Sequence, residues 1–266
     1  MIVQASLALI SVEVIMSQFV HGLVGLTLFL TVVPRLPADD ADAAKAIVDK
    51  AIKASGSEEK LSKLRATTIK LKGTVHHLEM DILFTGELTT QAADQSRVVI
   101  QAKINGQNFT ITEVLNRDKG WKKEDNATQD MSVDELKEAQ EGAHESWVAT
   151  LVPLKDKAYT LSTLGETKVG DRPALGVRVS SKGHRDINLY FDKDNHLLVK
   201  SEMRVKDDQA KMEMNQETFF SDYKEVAGIK EAMKFSIKRD GQPYLDAEIE
   251  EIRRQDKVED SVFAKP

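Results

Sequence analysis

The 266-residue chain is predicted to adopt an α+β fold: one large, twisted antiparallel β-sheet covered by two or three helices. Three observations predict this. About ten or eleven segments alternate apolar and polar residues with a period of two. Two long stretches recur instead at three- and four-residue spacing. No helical stretch separates successive strands in a βαβ rhythm, and no linker or internal repeat divides the chain.

The N-terminus stands apart. From Met1 to Val33 the only formal charge is Glu13, and Phe19 to Val33 form a mostly apolar run. Fifteen residues fall short of the roughly 20 needed to span a membrane. The run fits the apolar core of a secretory signal, with Ala38 before an acidic start, although no Lys or Arg precedes it. Residues 1–38 are therefore expected to be a signal peptide or hydrophobic anchor, starting at Met1 or Met16, and residues 39–266 the exported domain. "DADAAKAIVDKAIKASG" then reads as a helix: Ala44, Ile47, Val48, Ala51 and Ile52 make one stripe, acidic residues lie early and Gly56 closes the end. "EEKLSKL" adds a short turn or helix.

Strands follow. Met80, Ile82, Phe84 and Leu88 alternate with polar residues; Val98, Ile100, Ala102 and Ile104 share a side; Phe109, Ile111 and Leu115 answer them across an Asn105-Gly106 hairpin signal. Residues 132–150 return to helical spacing. Ser132 and Glu135 form a capping box, and Leu136, Ala139, Ala143, Trp147 and Thr150 share a face. Beyond Pro153 come Tyr159/Leu161, then Leu175/Val177/Val179 after the "GDRP" turn, then Ile187/Leu189/Phe191 and Leu197/Val199/Met203. About three more strands are split by "VAGIK" and "RDGQP". "DKDN", residues 192–195, invites a calcium-loop reading. His196 and Leu197 occupy the places where that loop needs Asp and Gly, so it is expected to be a hairpin turn.

Chemistry is sparse. The net charge of −6 argues against a nucleic-acid partner. With no cysteine there is no disulfide, thiolate zinc site, thiol nucleophile or lipid-anchored N-terminal Cys. Of six histidines, His21, His76, His77, His144, His184 and His196, the adjacent pair His76 and His77 points to opposite faces of a strand. Glu141 and His144 form a single Glu-x-x-His, where a di-iron bundle needs two, so they are expected on a solvated helix face. Acidic pairs such as Asp207–Asp208 and Glu250–Glu251 suit wet faces. No nucleophile elbow or phosphate loop is present. No catalytic residue, metal ligand or cofactor is assigned, and a hydrolase remains a rival supported only by carboxylates and histidines. What remains is apolar: Trp121, Trp147, Phe84, Phe109, Leu115, Phe220 and Phe235 either fill a closed core or line an apolar cleft between sheet and helices. A cleft would take acyl chains at roughly 0.8 kcal/mol per buried CH₂.

The order of elements, with "AAKAIVDKAIKASGSEEKLSKLRATTIKLKGTV" before the strands and a closing "FSDYKEVAGIKEAMKFSIKRDGQPYLDAEIEEIRRQDKVEDSVFAKP", resembles the bacterial outer-membrane lipoprotein-sorting (LolA-like) family. Asp260, Phe263 and Pro266 match a D-x-x-F-x-x-P phrase common at the end of its members. The resemblance covers about residues 41–266. It implies an unclosed β-barrel with helices as a lid over an apolar cavity. It also implies a monomeric periplasmic carrier or sensor of lipoprotein acyl chains or lipid, with an inner-membrane releasing transporter and an outer-membrane receptor as partners. The family's carrier holds its lid shut with an Arg inside the cavity; none of Arg65, Arg97, Arg172 or Arg178 aligns with that position. The alternative is a non-catalytic envelope module with a closed core.

Overall fold

A computed structural model describes residues 38–63, 65–77, 80–206 and 212–266. The apolar N-terminal run, His21 and Asp207–Asp208 lie outside the described residues. Helix α1 (Ala38–Ser55) and the one-turn helix α2 (Glu58–Leu61) precede six strands: β1 (Ala66–His77), β2 (Met80–Gln91), β3 (Gln95–Ile104), β4 (Gln107–Asn116), β5 (Lys119–Glu124) and β6 (Ala127–Asp130). Helix α3 (Val133–Val148) and a 3₁₀ turn (Val152–Lys155) lead to seven more. These are β7 (Tyr159–Val169), β8 (Arg172–Ser181), β9 (Ile187–Asp192), β10 (Leu198–Lys206), β11 (Glu213–Val226), β12 (Ile229–Arg239) and β13 (Gln242–Gln255).

All thirteen strands join one antiparallel sheet in the order β6-β5-β4-β3-β2-β1-β13-β12-β11-β10-β9-β8-β7. A twisted sheet this wide curls, and register shifts at Lys70/Leu71, Leu198/Lys200, Ile237/Lys238 and Thr163/Gly165 bend it further. The sheet is an unclosed barrel: β6 and β7 are its free edges, and α3 is the connection that crosses between them. The fold class is as expected, with two strands more than the upper count. The additions, β5 ("KGWKKE") and β6 ("ATQD"), have no apolar alternation to betray them. Two-residue turns join the strands where the sequence signalled them. Asn105-Gly106, Ala227-Gly228 and Asp240-Gly241 all have positive φ at both positions, which twists the turn to match the strands.

The "DKDN" segment is the β9–β10 connection. The Asp192 carboxylate accepts the backbone N–H groups of Asp194 (2.9 Å) and Asn195 (3.0 Å), and the Asp192 N–H donates to the Leu197 carbonyl (2.9 Å). Its charge is thus spent on closing the turn.

The inner face carries a continuous row set by strand register: Phe220, Phe235, Ala247, Gly73, Phe84, Ala102 and Phe109, one residue from each of seven adjacent strands. Small residues at Ala247, Gly73 and Ala102 leave room for the rings beside them. The need is strict at Gly73, where an added Cβ would lie 2.2 Å from the Asp246 carbonyl oxygen and 2.8 Å from the Phe84 ring. Helix α1 lays its predicted stripe on this core: Ala44, Val48, Ala51 and Ile52 are at most 3% exposed.

Candidate functional site

The site is the space between the inner face and the helices. An apolar cavity of about 100 Å³, partly open to solvent, lies where the C-terminal ends of α1 and α3 meet the sheet. Ser55 and Leu61 close it from one side, and Ser146, Ala149, Thr150 and Leu151 from another. Ile69, Leu198, Phe220, Tyr223, Ile229, Ala232, Ile249 and Ile252 form its floor, with Lys230 and Glu231 at one end. The Tyr223 hydroxyl donates to the Leu198 carbonyl (2.5 Å), which leaves the ring as wall.

The structure separates the seven predicted wall residues. Phe220 lines the cavity. Phe84, Phe109 and Phe235 share its row farther along the sheet, within or against the main core. Leu115 packs under α3 with Ala139 and Ala143 in a small cluster of its own. Trp147 is half-buried on α3. Trp121 faces away: it pairs with Val114, which points to the side of the sheet opposite Leu115. There Val114, Ala66, Val258 and Phe263 form a cluster that Trp121 joins. The C-terminal segment straps this outer face, with the Phe263 carbonyl accepting from Asn116 (3.2 Å) and Lys265 pairing with Asp130 (2.8 Å). Phe263 of the D-x-x-F-x-x-P phrase is thereby fully buried.

Helix α3 departs from expectation. Its capping box forms as read, with Glu135 N–H on Ser132 Oγ (3.3 Å) and Ser132 N–H on Glu135 Oε2 (2.7 Å). The face bearing Glu141 and His144 is not solvated, however: Glu138, Glu141, His144 and Glu145 are at most 5% exposed. Because α3 fills the seam between two sheet edges, both of its sides meet protein. Arg185 grips Glu138 through both guanidinium nitrogens (2.5 and 2.7 Å), and its backbone N–H donates to Glu141 (3.0 Å). The His144 ring stacks on His184 at 3.7 Å and meets Ser181 Oγ at 3.0 Å. Burial, with His184 adding to it, holds the His144 pKa down to about 4, so this imidazole is neutral at pH 7. Glu145 accepts from Ser201 Oγ (2.8 Å), while its second oxygen has no partner among the described residues. Burial pushes its pKa up to about 7. Sequence reasoning missed this clasp because its apolar stripe was read as the only buried face. The usable signal was the density of small residues, Gly142, Ala143 and Ser146, which let strands approach on every side.

Two His–carboxylate contacts bear on the hydrolase rival. His184 sits 3.5 Å from Glu141, and His76 bridges Asp81 and Asp246 at 2.8 Å each. Neither lines the cavity. Among the described residues no group of three His, Asp or Glu side chains is placed to hold a metal ion, and no helix is long and apolar enough to cross a membrane.

No protein-family profile and no curated protein sequence matches the chain. Solved structures do. A LolA superfamily protein from Nitrosomonas europaea superposes with a TM-score of 0.57 at 10% identity, covering 84% of this chain and 97% of that one. A Vibrio parahaemolyticus domain assigned to outer membrane lipoprotein sorting gives 0.54 at 11% identity, covering 85% and 98%. A DUF1329 family protein from Desulfovibrio piger gives 0.54 at 12%, covering 83% and 97%. The fold expected from the sequence layout is therefore the fold this chain shares with LolA-like structures.

Proposed function

We propose that this chain is a non-enzymatic periplasmic carrier or sensor that binds acyl chains of lipoproteins or lipids between sheet and helices. The observation that carries the reading is the partly open apolar cavity beneath the meeting point of α1 and α3. The fold shared with a LolA superfamily protein and a lipoprotein-sorting domain supports it. An engineered cavity of about 150 Å³ accepts benzene, so about 100 Å³ holds only the end of a chain. Further methylenes enter by parting α3 from the sheet. Ten of them return about 8 kcal/mol gross, against a clasp made largely of polar contacts that water can replace. The 1–38 segment would deliver the protein to the periplasm, where a releasing transporter and a receptor exchange the cargo.

The small cavity also favours a second reading, an envelope module whose core is simply filled. Fluorescence separates the two. Trp147 rides on α3 and Trp121 lies under the outer strap, so W121F leaves a reporter of α3. Acylated peptides or fatty acids are expected to shift Trp147 emission in W121F and to leave W147F unchanged. An unresponsive Trp147, together with no lipid co-purifying by mass spectrometry, would support the filled core.

A further inference from the structure

The two segments that close the cavity from either side each begin at a strained residue. Helix α1 ends at Ser55, and two residues on Ser57 holds φ 116° and ψ 153°, a backbone region that essentially only glycine occupies. Gly56 between them lies so close to the β11–β12 turn that a Cβ would sit 2.7 Å from the Gly228 carbonyl oxygen, which fixes the bend. On the other side, Leu151 follows α3 with φ 70° and ψ −34°, near the strained γ-turn geometry, and its buried side chain is part of the cavity wall. Most other side chains with positive φ belong to short turns between strands, where the strand twist favours such values.

Strain of this kind persists only where the surroundings impose it. Helix α2 starts after Ser57 and supplies Leu61 to the wall; the 3₁₀ turn starts after Leu151. The two are tied together by Glu58 and Lys155 (2.6 Å), and Lys155 also lies 3.6 Å from Asp49 of α1. Lys60 rests α2 on the Gly228 carbonyl (3.2 Å). Both members of the Glu58–Lys155 pair are about half-exposed, so water and salt weaken the tie. We infer that α2 and the 3₁₀ turn form a spring-loaded gate over the cavity, held shut by the Glu58–Lys155 pair and driven open by relief of strain at Ser57 and Leu151. Shut, it leaves room for the end of a chain; open, it admits the methylenes that follow. For its cargo the inference rests on the acyl-binding reading above; the motion itself does not.

Amide hydrogen exchange of the full chain without lipid reads the opening. The probes are the Leu61 and Leu154 N–H groups, which donate to the Ser57 (3.0 Å) and Leu151 (3.1 Å) carbonyls within the two segments. S57G removes the strain and is expected to slow exchange at both about fivefold, the relief being offset in part by the freedom glycine gains when the gate opens. K155Q removes the tie and is expected to speed exchange about threefold. Added salt should act on the native protein as K155Q does and leave K155Q unmoved. If S57G does not fold, L151G is compared with L151A: both delete the side chain, glycine alone accepts the positive φ, and exchange is expected to be several-fold slower in L151G. Stopped-flow association of laurate, below its micellar concentration, is expected to follow the exchange rates across these variants. Exchange that responds neither to relief of strain nor to K155Q overturns the gate, and so does laurate entry that fails to follow exchange. Exchange that shifts as expected, with no laurate bound by any variant, supports the gate and overturns the acyl-binding reading alone.

Discussion

The seam helix carries a prediction that can be worked in full. Glu145, 1% exposed, keeps its proton up to about pH 7, whereas the unfolded chain releases it near 4.5. Its folded pKa is raised, so between these values the unfolded state binds fewer protons and stability falls as pH rises. At 1.36 kcal/mol per pH unit the loss reaches about 3 kcal/mol at pH 7 and then levels off. The adjacent His144 works in the opposite sense. Its folded pKa is depressed from 6.5 to about 4, so the unfolded state binds more protons in that window and stability rises by about 3 kcal/mol from pH 4 to 6.5. In the native protein the two trends largely cancel, and the intact chain hides both. E145Q removes one of them. Urea unfolding at pH 4.5, 5.5, 6.5 and 7.5 is expected to show the E145Q-minus-native stability difference growing by about 3 kcal/mol toward E145Q as pH rises. H144N is expected to diverge from the native protein in the mirror sense, gaining relative stability as pH falls. A constant offset from the amide's own hydrogen bonds does not alter either slope. Parallel curves for E145Q and the native protein would refute the buried-carboxylate assignment.

Three more expectations follow from geometry. His76, held between Asp81 and Asp246, has its pKa raised mainly by the Asp246 hydrogen bond. H76Q should therefore be less stable than the native protein at pH 6, by up to about 1 kcal/mol, and converge with it at pH 9, after the histidine has deprotonated in both states; thermal melts at the two pH values check this. F263A empties the outer cluster and should cost about 3–5 kcal/mol. Trp121 emission should shift to the red in F263A while Trp147 is unchanged. G73A drives a methyl into Phe84 and the Asp246 carbonyl and should cost more than about 1 kcal/mol by overpacking. In G73A combined with F84A, recovery of part of that loss would show that the ring is one of the two obstacles, and the absence of any recovery would assign the clash to the carbonyl alone.

Much of the architecture was legible because it depends on local chemistry. Alternation placed about ten or eleven strands, Asn-Gly and Asp-Gly steps placed turns, and Ser132 with Glu135 placed the start of α3. The strands missed are β6, an edge strand with one neighbour, and β5 beside it, whose Lys122, Lys123 and Glu124 carry no apolar alternation. The site was less legible. Period-two patterns say which residues share a face of one strand, but only register across strands lines Phe220, Phe235, Phe84 and Phe109 into a row. In sequence Leu115 and Trp121 both read as apolar wall, and nothing local marked the C-terminal strap as the cover for Trp121. The burial of Glu138, Glu141, His144 and Glu145 is a tertiary effect of the seam, invisible to a pattern that assigns charge to water.

The central position of β13 has a kinetic consequence. Strands β1 to β6 and β7 to β12 are each ladders of near-neighbour hairpins, able to assemble independently. Among the described strands, β13 alone pairs with both ladders, zipping to β1 on one edge and β12 on the other. Those pairings span most of the chain, and such distant contacts are the slow ones to form. The two ladders therefore stay unjoined until β13, the last strand to be synthesised, pairs with both, and closing the sheet is the slow step of folding.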